Sequence, residues 1–275
     1  METQPDDIDL DLGRPRADLV PLRDDHTSEH ARDLQHRLQF SRKIAQMRES
    51  RLLSRAELRE MRIISSHTSS RRAANVFRDI RRKVMHFCGP RAGNFITMIT
   101  SVTDGGGASL TALNLGAAFA LDDTKTAVVV DCNLDNPNLA GLLGMTPDVG
   151  LTDFLEDMTL TTGDIIYPTG IPRLRLIPAG RQRESSTEYF SSIRMEELLI
   201  ELKTRYPDRY VILDGPPIGV SADASALCDL CDCAVLVVPY GRCTEDQITE
   251  AALNIGKDKL AGVVMNDEPH LALSR

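Results

Sequence analysis

The sequence predicts an α/β fold, a mostly parallel sheet flanked by helices, on three observations. From residue 95 onward, short β-branched apolar runs alternate with stretches of helical period. The runs are continuously apolar rather than alternating, as strands are when helices cover both faces. Gly- and Asp-rich segments follow the first, second and fourth runs, at the carboxyl ends of strands where open α/β sheets gather their ligands.

Taken in order, residues 1–30 mix Asp, Pro and Arg with scattered apolar residues and no sustained period, which predicts a disordered acidic tail. Residues 31–69 read as a basic helical extension. Leu34, Leu38, Ile44 and Met47 fall near one face of a first helix, and Ser54-Arg-Ala-Glu57 forms a capping-box pattern opening a second that carries Leu58 and Met61. A third helix begins near Ser70, with Phe77, Ile80, Val84 and Phe87 at spacings of three and four, and stops at the GPRAGN turn, residues 89–94. It opens the main domain, residues 70–275. Its expected strands are FITMITSV (95–102), TAVVVDCN (126–133), LRLIPAG (174–180), YVILDGPP (210–217), CAVLVVPYG (233–241) and LAGVVMND (260–267).

Composition removes several alternatives. Hydrophobic residues make up 42% and charged ones 26%, as in soluble globular proteins. No apolar run reaches the roughly 18 to 20 residues of a spanning helix. Acidic residues stand where a signal peptide would be basic and then apolar, so a cytoplasmic address is expected. Cys228, Cys231 and Cys233 have no second ligand pair nearby and lead into a strand, which favours buried reduced thiols over a zinc site. The net charge of −8 is uneven: −6 over residues 1–30, +10 over 31–83 and −12 over 84–275. The basic segment is either a patch for an acidic partner, membrane surface or neighbouring subunit, or a solvated helix face.

Between the first strand and the following helix stands Gly105-Gly106-Gly107-Ala108-Ser109. Three glycines let the backbone turn its N–H groups inward, and the helix N-terminus adds partial positive charge, so the segment can cradle an anion; a structural tight turn is the alternative. A phosphate loop would carry Lys at position 108, and Ala108 stands there, while Ser109 keeps the hydroxyl that holds magnesium. Asp131 and Asp214 each end an expected strand. Singly they could be turn-formers, but with the loop they make the two carboxylates of a magnesium-nucleotide site.

From about Ala73 to Asn266 the chain resembles the cytoplasmic domain of bacterial tyrosine kinases that accompany capsule and exopolysaccharide export, within the deviant P-loop ATPases. Ser101–Leu115 is similar to the family's S-x-x-P-G-E-G-K-[ST]-[ST]-x-x-x-N-L, keeping Ser101, Gly105, Gly107, Ser109, Asn114 and Leu115. VVVDCNLDNPNL resembles the D-x-D-x-R-x-P motif with Asp131 and Pro137, and ILDGPP resembles the I-D-x-P-P motif with Asp214, Pro216 and Pro217. Ile177–Gly180, Asp223-Ala224 and Gly262–Asn266 match in type and order. The resemblance implies a P-loop NTPase-like sheet, catalytic roles for Asp131 and Asp214, and nucleotide contacts from Gly105, Gly106, Gly107, Ala108, Ser109, Leu110 and Asn266. It also implies magnesium held by Ser109, Asp131 and Asp214.

The departures are specific. Asp104 and Gly106 replace Pro and Glu, Ala108 replaces Lys, Leu110 a hydroxyl residue, Asn133 the second Asp and Asp135 the Arg. Losing one charge-stabilising donor costs about 10² to 10³ in rate, and losing a general base costs a similar amount. Binding of ATP or ADP with Mg is therefore expected to be weak unless Lys125, Arg91 or a neighbouring subunit's arginine lends a cation. No tyrosine follows Tyr240 in this sequence, so a tyrosine-rich tail like the family's is not expected. ANVFRDIRR resembles the E-x-x-R-x-x-R ring-forming segment, with Arg78 and Arg81 kept and Asn75 in place of Glu; a charged helix face is the alternative.

Two functions follow. One is a catalytically weakened subunit that docks on a membrane chain-length or export protein of the copolymerase type, peripheral at the inner membrane, with possible homo-oligomers and no nucleic-acid partner. The other is an active ATP-dependent tyrosine kinase or ATPase. A partition-type ATPase fits less well, because Thr103 and Asp104 stand where that group carries an early lysine.

Overall fold

A computed structural model describes residues 49, 51–65, 71–89, 94–182, 187–205 and 208–267. All of them fall within one compact unit, Leu38–Arg275. The acidic tail, the helix expected over Leu34–Met47, and Arg91 with the middle of the GPRAGN turn lie outside the described residues.

In chain order the elements are α1 (Arg55–Glu60), α2 (Arg71–Cys88), β1 (Ile96–Ser101), α3 (Ala108–Ala120), β2 (Thr126–Asp131), α4 (Leu139–Leu142), α5 (Leu151–Glu156) and β3 (Tyr167–Pro168). Then follow β4 (Leu174–Ile177), α6 (Thr187–Phe190), α7 (Ile193–Thr204), β5 (Arg209–Asp214), α8 (Ala222–Leu230), β6 (Cys233–Pro239), α9 (Glu245–Ile255) and β7 (Leu260–Asn266). The sheet runs β3-β4-β2-β5-β1-β6-β7. Every pairing is parallel except β3 with β4.

All six expected strands form. The edge strand β3 was not expected, because two residues carry no periodic signal and Pro168 is tolerated only where a ladder bond is not required. The central strands β1, β2, β5 and β6 are buried along their whole length, which is why their sequences do not alternate. The two-residue period survives inside the sheet. Met98, Val128, Val130 and Leu213 face a layer with α7, α8 and α9, while Ile99, Val129 and Ile212 face α3 and residues from α1 and α2.

Local chemistry sets the helix starts. Ser54 accepts from the Glu57 N–H and Glu57 accepts from the Ser54 N–H, forming the expected capping box of α1. Thr244 forms another capping box with Gln247 at α9, while the Ser192 and Ser221 hydroxyls cap α7 and α8 by accepting from the N–H groups of Met195 and Asp223. Helix α3 is apolar nearly all round because it lies against the sheet, and Gly116 lets it lie close: a Cβ there would stand 2.8 Å from Leu174 and 3.0 Å from Val129. The described part of the basic extension also enters this core. Leu58, Ile63 and Ile64 are buried beneath α3, where Asn114 accepts from the Ile64 N–H at 2.8 Å and donates to the Arg62 carbonyl at 3.1 Å.

Candidate functional site

Strands β1, β2 and β5 lie side by side at the centre of the sheet, so parallel register brings their carboxyl ends together. Asp131 closes β2 directly beside Asp214, which closes β5, and Asp214 in turn stands beside Ile99 of β1. The loop from Val102 to Gly107 leaves β1 above them and feeds α3. A cleft of about 220 Å³ opens there, lined among others by Gly105, Gly107, Ser109, Asn133, Asn136 and Gly215.

The glycines are required by the path of the loop. Gly107 takes φ +93° as the N-cap of α3, and a Cβ there would fall 2.1 Å from Asn266 Nδ2. At Gly106 a Cβ would meet that of Ser101 at 2.7 Å, so the glutamate usual in the family cannot follow this path. No side chain caps α3, whose first N–H groups have no intrahelical acceptor. The carbonyls are held from outside the cleft. Asn266 Nδ2 donates to Gly106 O at 3.0 Å, while Arg242 donates from Nη1 to Gly105 O and from Nη2 to Asp104 O, each at 3.0 Å. The Gly106 N–H is taken by the Thr103 carbonyl at 3.2 Å, so the anion-facing donors are the N–H groups from Gly107 into the first turn of α3.

The carboxylates call for a cation. Asp131 Oδ2 accepts from the N–H groups of Asn138 and Leu139 at 3.2 and 3.0 Å, while its Oδ1 is buried with no hydrogen-bond partner among the described residues. Asp214 is fully buried, and neither oxygen meets a hydrogen bond of normal geometry. Burial pushes the Asp131 carboxyl up to about 6, opposed by the backbone N–H groups of Leu139, Asn138 and Asn133. Burial first, and the Asp131 charge second, push Asp214 well above the usual carboxylate range, with the Ser109 hydroxyl pulling the other way. Three orphaned carboxylate oxygens, Oδ1 of Asp131 and both of Asp214, beside a hydroxyl are the donor set of a hard divalent cation such as magnesium, and the glycine loop beside them fits phosphate oxygens. The residues therefore fit a magnesium-bound nucleotide, except at position 108. Ala108 is nearly buried, and its methyl packs into the core under α3.

The expected site residues separate into two sets. Gly105, Gly106, Gly107, Ala108, Ser109, Leu110 and Asn133 line the cleft, whereas Asp131 and Asp214 are buried outside its lining, Asp131 bonded to the lining residue Asn138 and Asp214 preceding the lining residue Gly215. Asn266 stands behind the loop as a brace rather than in the cleft lining. Lys125 cannot lend the missing charge: its ammonium lies 5.6 Å from the centroid of the Tyr210 ring, at the amino ends of β2 and β5 and so at the opposite edge of the sheet. Arg78 reaches Asn75 in its own helix, and Arg81 donates to the Ala118 carbonyl of α3 at 2.7 Å. Arg242 was not expected; the signal available for it was a basic residue just past the carboxyl end of β6, the strand next to β1.

No family model matches the chain. It is 31% identical over 176 residues to tyrosine-protein kinase CpsD of Streptococcus agalactiae, a match covering 63% of this chain and 75% of that one. It is 33% identical over 171 residues to tyrosine-protein kinase YwqD of Bacillus subtilis, covering 62% and 70%. The crystal structure of the chimerical protein CapA2B2 superimposes with a TM-score of 0.68 at 22% identity, over 85% of this chain and 99% of that one, which establishes a shared fold. With its P-loop NTPase-like sheet and paired strand-end carboxylates, the chain belongs to the bacterial tyrosine-protein kinase family.

Proposed function

We propose that this chain is a catalytically weakened member of its family, a cytoplasmic subunit of capsule or exopolysaccharide assembly. It acts by docking on a membrane chain-length or export protein of the copolymerase type and self-associates through the Arg78 and Arg81 face of α2. One observation carries the reading: a methyl group packed into the core stands at position 108, where the resemblance calls for the lysine that neutralises nucleotide phosphates. Asn133 in place of the second carboxylate supports it, since an amide cannot take a proton from a hydroxyl. We assign attachment at the inner membrane to the copolymerase-type partner; among the described residues no helix is long and apolar enough to cross a membrane.

Bound magnesium supplies positive charge to the phosphates of ATP or ADP. For its part, the chain would hold that ion through Ser109, Asp131 and Asp214, and would cradle phosphate oxygens with the N–H groups of Gly107–Leu110. Asp104 in the cleft lining, and Asp135 one residue before the lining residue Asn136, add negative charge that would repel the same phosphates. Calorimetry is expected to give Mg-ATP binding weaker than about 1 mM, or binding of Mg-ADP only.

The second reading, an active tyrosine kinase or ATPase, is favoured by the retained Asp131–Asp214 pair and by the Arg242 guanidinium on the loop. ATP turnover and phosphotyrosine, measured with and without the membrane partner, separate the two. Robust turnover by the chain alone, abolished by Asp214→Ala, establishes the second and overturns the first.

A further inference from the structure

Helix α2 ends at Cys88, and β6 begins at Cys233. The two residues are 145 positions apart in sequence, yet their Sγ atoms lie 3.3 Å from each other. A disulfide bond needs about 2.05 Å, a little over one ångström closer. Cys233 is fully buried, with its Sγ also 3.4 Å from the Thr97 hydroxyl, so it is fixed in the sheet. Cys88 is partly exposed and is the last residue of its helix. The next residue, Gly89, has φ +89° and open space around it, and this leaves slack at the junction.

We propose that Cys88 and Cys233 form a reversible thiol–disulfide pair, a modification site outside the cleft that takes a low-molecular-weight disulfide as its oxidant. Their chemistry is asymmetric in the direction this needs. The Cys233 thiol holds Cys88 below the usual thiol range, with help from the Lys203 charge and against burial and the Asp232 charge. Cys233 is held above that range by the same contact and by its burial. The accessible sulfur is thus the better thiolate and attacks first.

In the first step the Cys88 thiolate attacks one sulfur of oxidised glutathione, forming a mixed disulfide and releasing one glutathione thiolate. Cys233 then loses its proton to that released thiolate, and its sulfur attacks Cys88 Sγ. The bond from Cys88 to glutathione breaks, and the second glutathione leaves and is protonated from solvent. Two protein thiols lose two electrons, and one glutathione disulfide gains them.

In the second pair the Cys231 contact pushes the Cys228 thiol down to about 7, but burial keeps both sulfurs from a glutathione-sized oxidant. Cys228 and Cys231 are 4% and 5% exposed, and their thiols donate to the carbonyls of Ile255 and Cys228. Closing the bond from Cys88 to Cys233 would tie one end of the helix that carries Arg78 and Arg81 to the central sheet. It leaves the nucleotide cleft untouched, so the inference stands independently of whether ATP is turned over.

Treating the full chain with oxidised glutathione, trapping with an alkylating agent, and mapping peptides by mass spectrometry tests the proposal. The expected result is loss of two of the six thiols, a mass lower by two hydrogens, and a linked peptide pair containing Cys88 and Cys233. The melting midpoint of the oxidised protein should rise by about 5–10 °C and return with dithiothreitol. Cys233→Ser should halt the reaction at a glutathione adduct on Cys88. Cys88→Ser, at the partly exposed helix end, should give no linkage, and it serves as the second variant if position 233 does not tolerate serine. Glutathione left on Cys88 in the wild type, a Cys228–Cys231 linkage instead, or survival of all six thiols would overturn the assignment.

Discussion

The residue on which activity turns is Ala108. At the first position of α3 a lysine would direct an ammonium toward the cleft, whereas the methyl joins the core. Ala108→Lys is expected to tighten Mg-ADP binding at least about tenfold by calorimetry, the worth of one charge-assisted phosphate contact. Asp131 and Asp214 have a separate signature. Both hold their protons more tightly folded than unfolded, so their contribution to stability is fully present below about pH 4. It is lost as pH rises through about 6 for Asp131, and as pH rises through the raised range of Asp214. Urea unfolding should therefore show wild-type stability falling by roughly 2–3 kcal/mol between pH 4 and 8, with the slope nearly flat in an Asp131→Asn, Asp214→Asn double variant. Magnesium should raise the melting midpoint of the wild type at pH 8 and leave the double variant unmoved. A wild-type midpoint indifferent to magnesium would remove the cation from this site.

The elements decide how the loop is shaped. Arg242 follows β6 and Asn266 ends β7, and together they hold the carbonyls of Asp104, Gly105 and Gly106 outward. Arg242→Ala should weaken Mg-ADP binding by about threefold to tenfold with a change in folding stability under about 0.5 kcal/mol, because the side chain is exposed and its work is local. An equal loss in folding stability would make it a structural contact only. Helix α1 was legible from Ser54 and Glu57 because a capping box lies within four consecutive residues. The brace by Arg242 was not, since it joins positions 137 and 138 apart in sequence. The same limit applied to β3, which exists only because the β4 edge offers it a partner.

At the scale of the whole molecule, the segment with the strongest positive charge is also partly a core element. Leu58, Ile63 and Ile64 fill the layer under α3, so Leu58→Ala or Ile64→Ala should cost roughly 2–4 kcal/mol in urea unfolding. A chain lacking residues 1–65 should melt several degrees lower and bind a hydrophobic dye; unchanged melting would show that the extension is a separate appendage. The sequence by itself determined the parallel α/β sheet, the order of the glycine loop and its two carboxylates, and the absence of the phosphate lysine, because continuous apolar runs and contiguous motifs are local properties of a chain. Only the tertiary structure decided that Asp131 and Asp214 lie side by side and desolvated, that Lys125 lies at the wrong edge, that Arg242 grips the loop, and that Cys88 meets Cys233. Each of these depends on which strands become neighbours, and strand order is set by packing across the whole sheet rather than by any one segment.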